Sequence, residues 1–593
     1  MSRRRRALLA LLTLLLVTGT SSCVSLPRTG PVHSRSVAND GEGETLVDYT
    51  PAGPKPGSAP VPLVDNWLTS MTATPLNTYV AREFLTDSSS TSWVPERGTV
   101  VYGSQELVSR PDGVVMLRLR DVVELDDRGG WRGDPTAGAG HDYLLRLVRE
   151  DGQWRISHPP DRLLIPREHF ESQYQQFLLY FVNSSAQVMV PEPVYVPRGR
   201  QAPTLLIAGL LKGPEKDLEG VERTFFPRGT ALDGISVPVT RLGTAEVPLS
   251  DDVLDADNDQ LKLVFAQLAW TLSQVPGVQR LKITVRGTPI DVSGSSQDVR
   301  VDDFSELDPS LAWASTALYG VRDRRVVSYT SQGEARTTGP FGVLGLAPRW
   351  IAVDPLSQHI AGVTPDGHRV LEANLEAATG RPAGLPDTRT VYSTDTPVLR
   401  PAYDLFGALW LLDRSRAGAR LSVVRSGVIR TLTAPGVSGF PVSRFLVSRD
   451  GTRLVSEVRR AGRDRLFVSR LRRDAQGRVL SVSTAHGLTI DGAPDVIRDI
   501  AWRTPAVVAV LAAPSGGGSE VLLAKVDGSS DAADLGVEAT PFRGRAVRMV
   551  TAPSSGAPVY VETSSGGLYV LSSHGVWKRS SIRAGLRAPT FVG

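Results

Sequence analysis

The sequence predicts a multidomain protein of α+β and all-β class, with a small N-terminal α+β domain, a second α+β domain and a C-terminal β-propeller of about six blades. Three observations lead there. The 593 residues are too many for one hydrophobic core to organise. Gly (56) and Pro (42) are plentiful while aromatics make up only 6%, a composition suited to turn-rich β structure. From about Leu311 onward, comparable short apolar runs recur at spacings of 50, 44, 55 and 49 residues.

The N-terminus comes first. MSRRRR is followed by the 11 apolar residues ALLALLTLLLV and then by TGTSS, which leads to Cys23. Eleven helical residues span about 16 Å, roughly half a bilayer's hydrocarbon core. Residues 1–22 therefore suit a secretory signal better than a membrane span. Cys23 is the only cysteine, so it has no internal disulfide partner and cannot build a cysteine zinc site. The residues before it are similar to a bacterial lipobox: Ser21 and Ser22 fit, and Thr20 stands where Leu is usual. Cys23 is accordingly expected to carry an S-diacylglycerol and an N-acyl chain such as palmitate. The competing route is ordinary signal-peptidase cleavage near Ser21, which leaves an exposed thiol. Each buried CH₂ contributes about 0.8 kcal/mol, so one acyl chain holds marginally and two or three hold durably. Membrane lipid is thus the first expected partner, at the outer face of the cytoplasmic membrane.

Residues 23–61 read as lipidated Cys and flexible linker, rich in Pro, Gly and Ser without apolar periodicity. Residues 62–166 read as the N-terminal α+β domain, NTF2-like or cystatin-like in shape. NTYVAREFLTDS suggests an amphipathic helix with Tyr79, Phe84 and Leu85 among its apolar positions. Alternating runs follow, and YLLRLVRE and QWRISHPP flank the hairpin turn Asp151-Gly152. His141 and His158 are read as surface or packing residues.

Residues 168–295 form the second α+β domain. YFVNSSAQVMVPEPVYVP reads as two strands, PTLLIAGLLKGP as a helix stopped at Gly213-Pro214, and TFFPRGTALDGISVPVTRLGTAEVPLS as further strands. In DADNDQLKLVFAQLAWTLSQVPGV, Leu261, Val264, Phe265, Leu268 and Leu272 recur at helical spacing. The acidic run Asp255 to Asp259 sits at that helix's positive end. It fails as an EF-hand: Gln260 occupies the glycine position and Ala266 the glutamate position. Helix capping is the better account. LKITVRGTPIDV closes the domain with two short strands.

Residues 311–593 read as the propeller. Repeats open at IAVDP, PAYDL, FLVSRDG, IAWRT and MVTAP, each followed by two further apolar runs, as one four-stranded blade requires. Ahead of them TALYGVRDRRVVSYTSQGEART lacks an opening strand, and RAPTFVG at the far end is placed to supply it. Closing the ring that way removes exposed sheet edges. Six blades is the expectation; five or seven, or a pair of β-sandwiches, compete with it.

Charge and motifs narrow the function. The formal net charge of +4 lies wholly in Arg3, Arg4, Arg5 and Arg6, so the processed chain is neutral and nucleic acid is not an expected partner. There is no G-x-S-x-G, S-x-x-K, H-E-x-x-H or GK dipeptide, so no catalytic residue, metal site or cofactor is assigned. A triad assembled from distant residues stays open as a third reading.

Several segments together carry a family resemblance: Cys23-Val-Ser-Leu-Pro27 before GPV, AREFLTD, GQWRISHPP, LLKGPEKDLEGVERTFFPRGT, AQLAWTLSQVPGVQRLKITVRG and AWASTALYGVRDRR. The chain resembles the actinobacterial LpqB lipoprotein family over nearly its whole length, with residues 168–295 similar to a GerMN domain. The resemblance implies an envelope lipoprotein, not an enzyme. It implies association with the extracellular domain of a sensor histidine kinase of the MtrB type and effects on two-component signalling, envelope homeostasis and division. The alternative is an envelope scaffold that binds cell-wall glycan.

Overall fold

Helix Pro60–Ser70 opens the first domain with a proline in its first turn, where the missing N–H costs nothing. Its Leu63, Val64, Trp67 and Leu68 fall on one face and are buried. That face packs beside an antiparallel sheet ordered Ser104–Arg110, Val114–Arg120, His141–Glu150, Gln153–Ile156. The structure, a computed structural model, describes residues 48–133, 140–291, 298–377, 388–492, 494–514, 516–530, 540–554 and 556–593. Cys23 and the signal segment lie outside the described residues.

Two expectations for this domain need correction. NTYVAREFLTDS is not one helix: it forms Tyr79–Arg82 and then, with the next residues, Asp87–Ser92. Between them Phe84 and Thr86 pair their backbone with Ile156, at 2.9 and 3.0 Å, so sheet hydrogen bonds replace the helical ones. Thr86 then restarts the helix as its cap, accepting from the Ser89 N–H. Phe84 and Leu85 are buried, whereas Tyr79 is 80% exposed. The linker also ends sooner than residue 61. Tyr49 exchanges backbone hydrogen bonds with Thr74, the Gly57 N–H donates to Gln153, and Pro60 and Val61 are already helical.

The hairpin at Asp151-Gly152 forms as read, with both residues at positive φ (48° and 76°) joining Glu150 to Gln153. Glycine carries the larger of these angles without a Cβ clash.

In the second domain, strands Tyr174–Asn183 and Met189–Pro197 form a hairpin. Pro191 and Pro193 are tolerated because Met189–Pro197 is an edge strand of its sheet. Helix Ala202–Leu211 stops before Gly213, which has φ 77°. Strands Thr244–Leu249 and Arg280–Val285 pair in parallel, joined through helix Asn258–Leu272. That crossover buries Val264, Phe265, Leu268 and Leu272 against both sheets. Asp257 caps the helix by accepting from the Gln260 N–H at 2.8 Å, which explains the acidic run. Of the strands expected across TFFPRGTALDGISVPVTRLGTAEVPLS, only Thr244–Leu249 forms a continuous strand. Pro227, Pro238 and three glycines interrupt the stretch before it.

The C-terminal part is a ring of six sheets, five of them built on a four-stranded meander. Innermost strands of blades two to six are Trp350–Val353, Ala402–Tyr403, Val442–Val447, Val496–Thr504 and Ala546–Val550. Blade one contains Leu318–Arg322, Arg325–Thr330 and Gly333–Arg336, and takes its innermost strand, Arg587–Thr590, from the chain's far end. Leu318, Val550, Leu568, Leu586 and Phe591 then pack blade six against blade one, which completes the ring. Strand His486–Leu488 adds to blade four.

Candidate functional site

Two places concentrate polar chemistry, one on each face of the ring. The first is the junction with the second domain. Edge strand Met189–Pro197 carries Glu192 into the propeller, where Arg470 grips it through Nη1 (2.8 Å) and Nη2 (2.7 Å) and Arg453 through Nη2 (2.6 Å). Arg453 is fully buried; it also donates to the Pro191 carbonyl and reaches Asp450 at 3.2 Å. Burial alone would raise the Glu192 carboxyl, but the two guanidiniums hold it below the usual carboxylate range. Glu222, beside it, is pushed well up by burial and by the Glu192 charge. The two carboxyls thus shift in opposite directions beside the same two cations.

Tyr195 ties all three modules together. Its ring lies 5.6 Å from Trp131 and 5.3 Å from Phe170, while its hydroxyl donates to Ser529 Oγ at 2.8 Å and accepts from Lys525 Nζ at 3.2 Å. Its N–H donates to the Gly129 carbonyl, and a Cβ on Gly129 would overlap the Tyr195 carbonyl. Gln176 to Asp527, Ser184 to Asp474 and Arg473 to Gly220 add further hydrogen bonds between the second domain and the propeller.

These contacts use residues where the first and third strands of blades end. The second place lies where innermost strands begin, hence on the opposite face. A cavity of about 270 Å³ opens there among Arg349, Arg400, Arg414, Arg444, Arg498 and Arg548. Among the described residues, Asp499 is the only carboxylate in its lining. Asp499 accepts from Arg400 (2.9 Å) and from the N–H groups of Ile500 and Met549. Arg444 pairs with Glu457 at 2.7 Å and Arg548 with Glu562 at 2.9 Å. Trp350 stands in the mouth with the Arg548 guanidinium 4.7 Å and the Arg400 guanidinium 5.1 Å from its ring centre. Burial pushes the Glu457 carboxyl up to about 7, a rise that Arg444 only partly offsets.

Neither place was singled out from the sequence. A signal for the second was present: an arginine stands one or two residues before each repeat opening, in PRW, LRP, SRF, IRD and VRM, and again in LRA at the ring's closing strand. For the junction there was none, because Glu192 becomes informative only once Arg453 and Arg470 are beside it. His141 binds Glu124 at 2.8 Å and stacks on Tyr143, and His158 bonds Ser157, so both do local surface work. Among the described residues no group of three His, Cys, Asp or Glu could hold a metal ion, and no helix is long and apolar enough to cross a membrane.

Three family models cover this architecture in order. The lipoprotein LpqB N-terminal domain matches residues 53–171, the sporulation and spore germination domain 178–291, and the lipoprotein LpqB beta-propeller domain 324–591. The chain belongs to the LpqB lipoprotein family. Lipoprotein LpqB of Thermobifida fusca is 25% identical to it over 616 residues, covering 94% of this chain and 95% of that one. Lipoprotein LpqB of Mycolicibacterium smegmatis is 28% identical over 490 residues, covering 76% and 78%. Among solved structures, the first GerMN domain of the sporulation protein GerM from Bacillus subtilis matches 22% of this chain and 99% of its own at 18% identity, TM-score 0.19.

Proposed function

We propose that this LpqB-family chain is a non-enzymatic binding protein held by acylated Cys23 on the outer face of the cytoplasmic membrane. There it engages the extracellular domain of an MtrB-type sensor kinase and thereby modulates envelope homeostasis and division. The supporting observation is the junction at Glu192 and Tyr195. It fastens the GerMN-like domain to the propeller through buried ion pairs and to the N-terminal domain through stacked rings. A body joined in this way presents several surfaces in fixed register, which favours recognition of a folded partner. The test is titration of the full chain, in detergent, against the purified outer domain of the sensor kinase. Saturable binding is expected; no binding by correctly folded protein counts against the reading.

A further inference from the structure

The arginine-lined mouth of the propeller has no part in the junction, and its chemistry points to a ligand of its own. Six guanidiniums converge on it. Three are balanced by Asp499, Glu457 and Glu562. The other three, Arg349, Arg414 and Arg498, form no ion pair with a described carboxylate. Arg498 is held by the Ser519 hydroxyl (2.7 Å) and the carbonyls of Gly518 and Ala546, and Arg414 by the Val442 carbonyl (3.1 Å). Each guanidinium carries five donors, more than these contacts use, so donors remain for a ligand.

The arrangement is built rather than scattered. Five of the six blades contribute an arginine at, or one residue before, the same place in the innermost strand. The two blades that carry another residue at that place use it to position neighbours. Trp350 stacks against Arg400 and Arg548, and Asp499 fixes Arg400 while sitting 3.8 Å from Arg444 Nε. Positioned guanidinium forks match the oxygen geometry of phosphate and carboxylate. An excess of three positive charges favours the more highly charged of these. The volume lies near the lower limit for small-molecule pockets, which suits a compact headgroup and not a polymer.

We propose that this mouth is a binding site for a phosphate group, either a free phosphate ion or the headgroup of a phospholipid. The site takes no part in the junction on which the proposed function rests, since it lies on the opposite face of the ring.

The experiment is calorimetric titration of the full chain in uncharged detergent with two probes: inorganic phosphate, and dihexanoyl phosphatidylglycerol kept monomeric. The test variant is Arg349→Gln/Arg414→Gln. Both side chains are exposed and neither leaves a carboxylate orphaned, so the fold is retained. Arg579→Gln, on the outermost strand of blade six, is the control. The proposal predicts saturable binding of at least one probe, weakened about tenfold or more in the double variant and unchanged in the control. Tighter binding of phosphate assigns the site to the free ion, and tighter binding of the lipid assigns it to a headgroup. Saturation by neither probe, or equal affinity in the double variant, overturns the proposal.

Discussion

Glu192 shows how one residue becomes decisive only in context. Its carboxylate is shared by the fully buried Arg453 and the partly buried Arg470, and removing it takes that common partner from both guanidiniums. Breaking a buried pair from one side costs about 3–5 kcal/mol, and Glu192→Ala should lower the urea midpoint accordingly. Glu192→Gln, which keeps hydrogen-bonding capacity, should cost less. Glu457 gives a pH prediction. Its carboxyl is raised from the ordinary 4.5 to about 7 in the folded chain, so the folded state holds the proton more tightly than the unfolded one. Its stabilising contribution is complete below about 4.5 and is lost as pH rises through about 7. Between pH 5 and pH 8 the wild type should therefore lose more stability than Glu457→Gln, measured as the difference in denaturation midpoints. At this scale Cys23 stands out in the sequence as a lone thiol beside a short apolar run, but it lies outside the described residues. Glu192, Arg453 and Arg470 do not stand out, because an ion pair between residues more than 260 apart leaves no local periodicity.

At the level of elements, the closing strand Arg587–Thr590 bears the most weight. It pairs with Leu318–Arg322 and converts an open arc of sheets into a ring. Deleting residues 587–593 would expose that inner edge together with Leu318 and Val327, so the truncated chain should aggregate. Size-exclusion chromatography would show the monomer peak diminished relative to the full chain. Repeats announced this element, since the first blade lacked one run and the C-terminus supplied one. Hairpins were equally legible wherever a turn pair such as Asp151-Gly152 fixed the register. Two elements misled for physical reasons. AREFLTD has a helical pattern, but Ile156 offers the Phe84–Thr86 backbone a strand partner, and long-range pairing outweighs local propensity. Helix Pro60–Ser70 begins inside a Pro-rich stretch that reads as linker, and its apolar face becomes evident only where Trp67 meets Trp93, 6.1 Å away.

Across the whole molecule, the modules behave as a joined body because Tyr195 touches all three. Tyr195→Ala removes ring packing on Trp131 and Phe170 and the hydroxyl's bond to Ser529. Truncating a packed aromatic costs about 3–5 kcal/mol, and the loss here falls on the connections between modules. Scanning calorimetry should resolve more than one transition in Tyr195→Ala where the wild type shows fewer. The function proposed for this body also depends on its being retained at the membrane, and that claim has a direct readout. Mass spectrometry of the N-terminal peptide from membrane-purified chain should show Cys23 as the first residue, carrying a thioether-linked diacylglycerol and an amide-linked acyl chain. A processed chain that is released from the membrane with Cys23 as a free thiol would contradict the account.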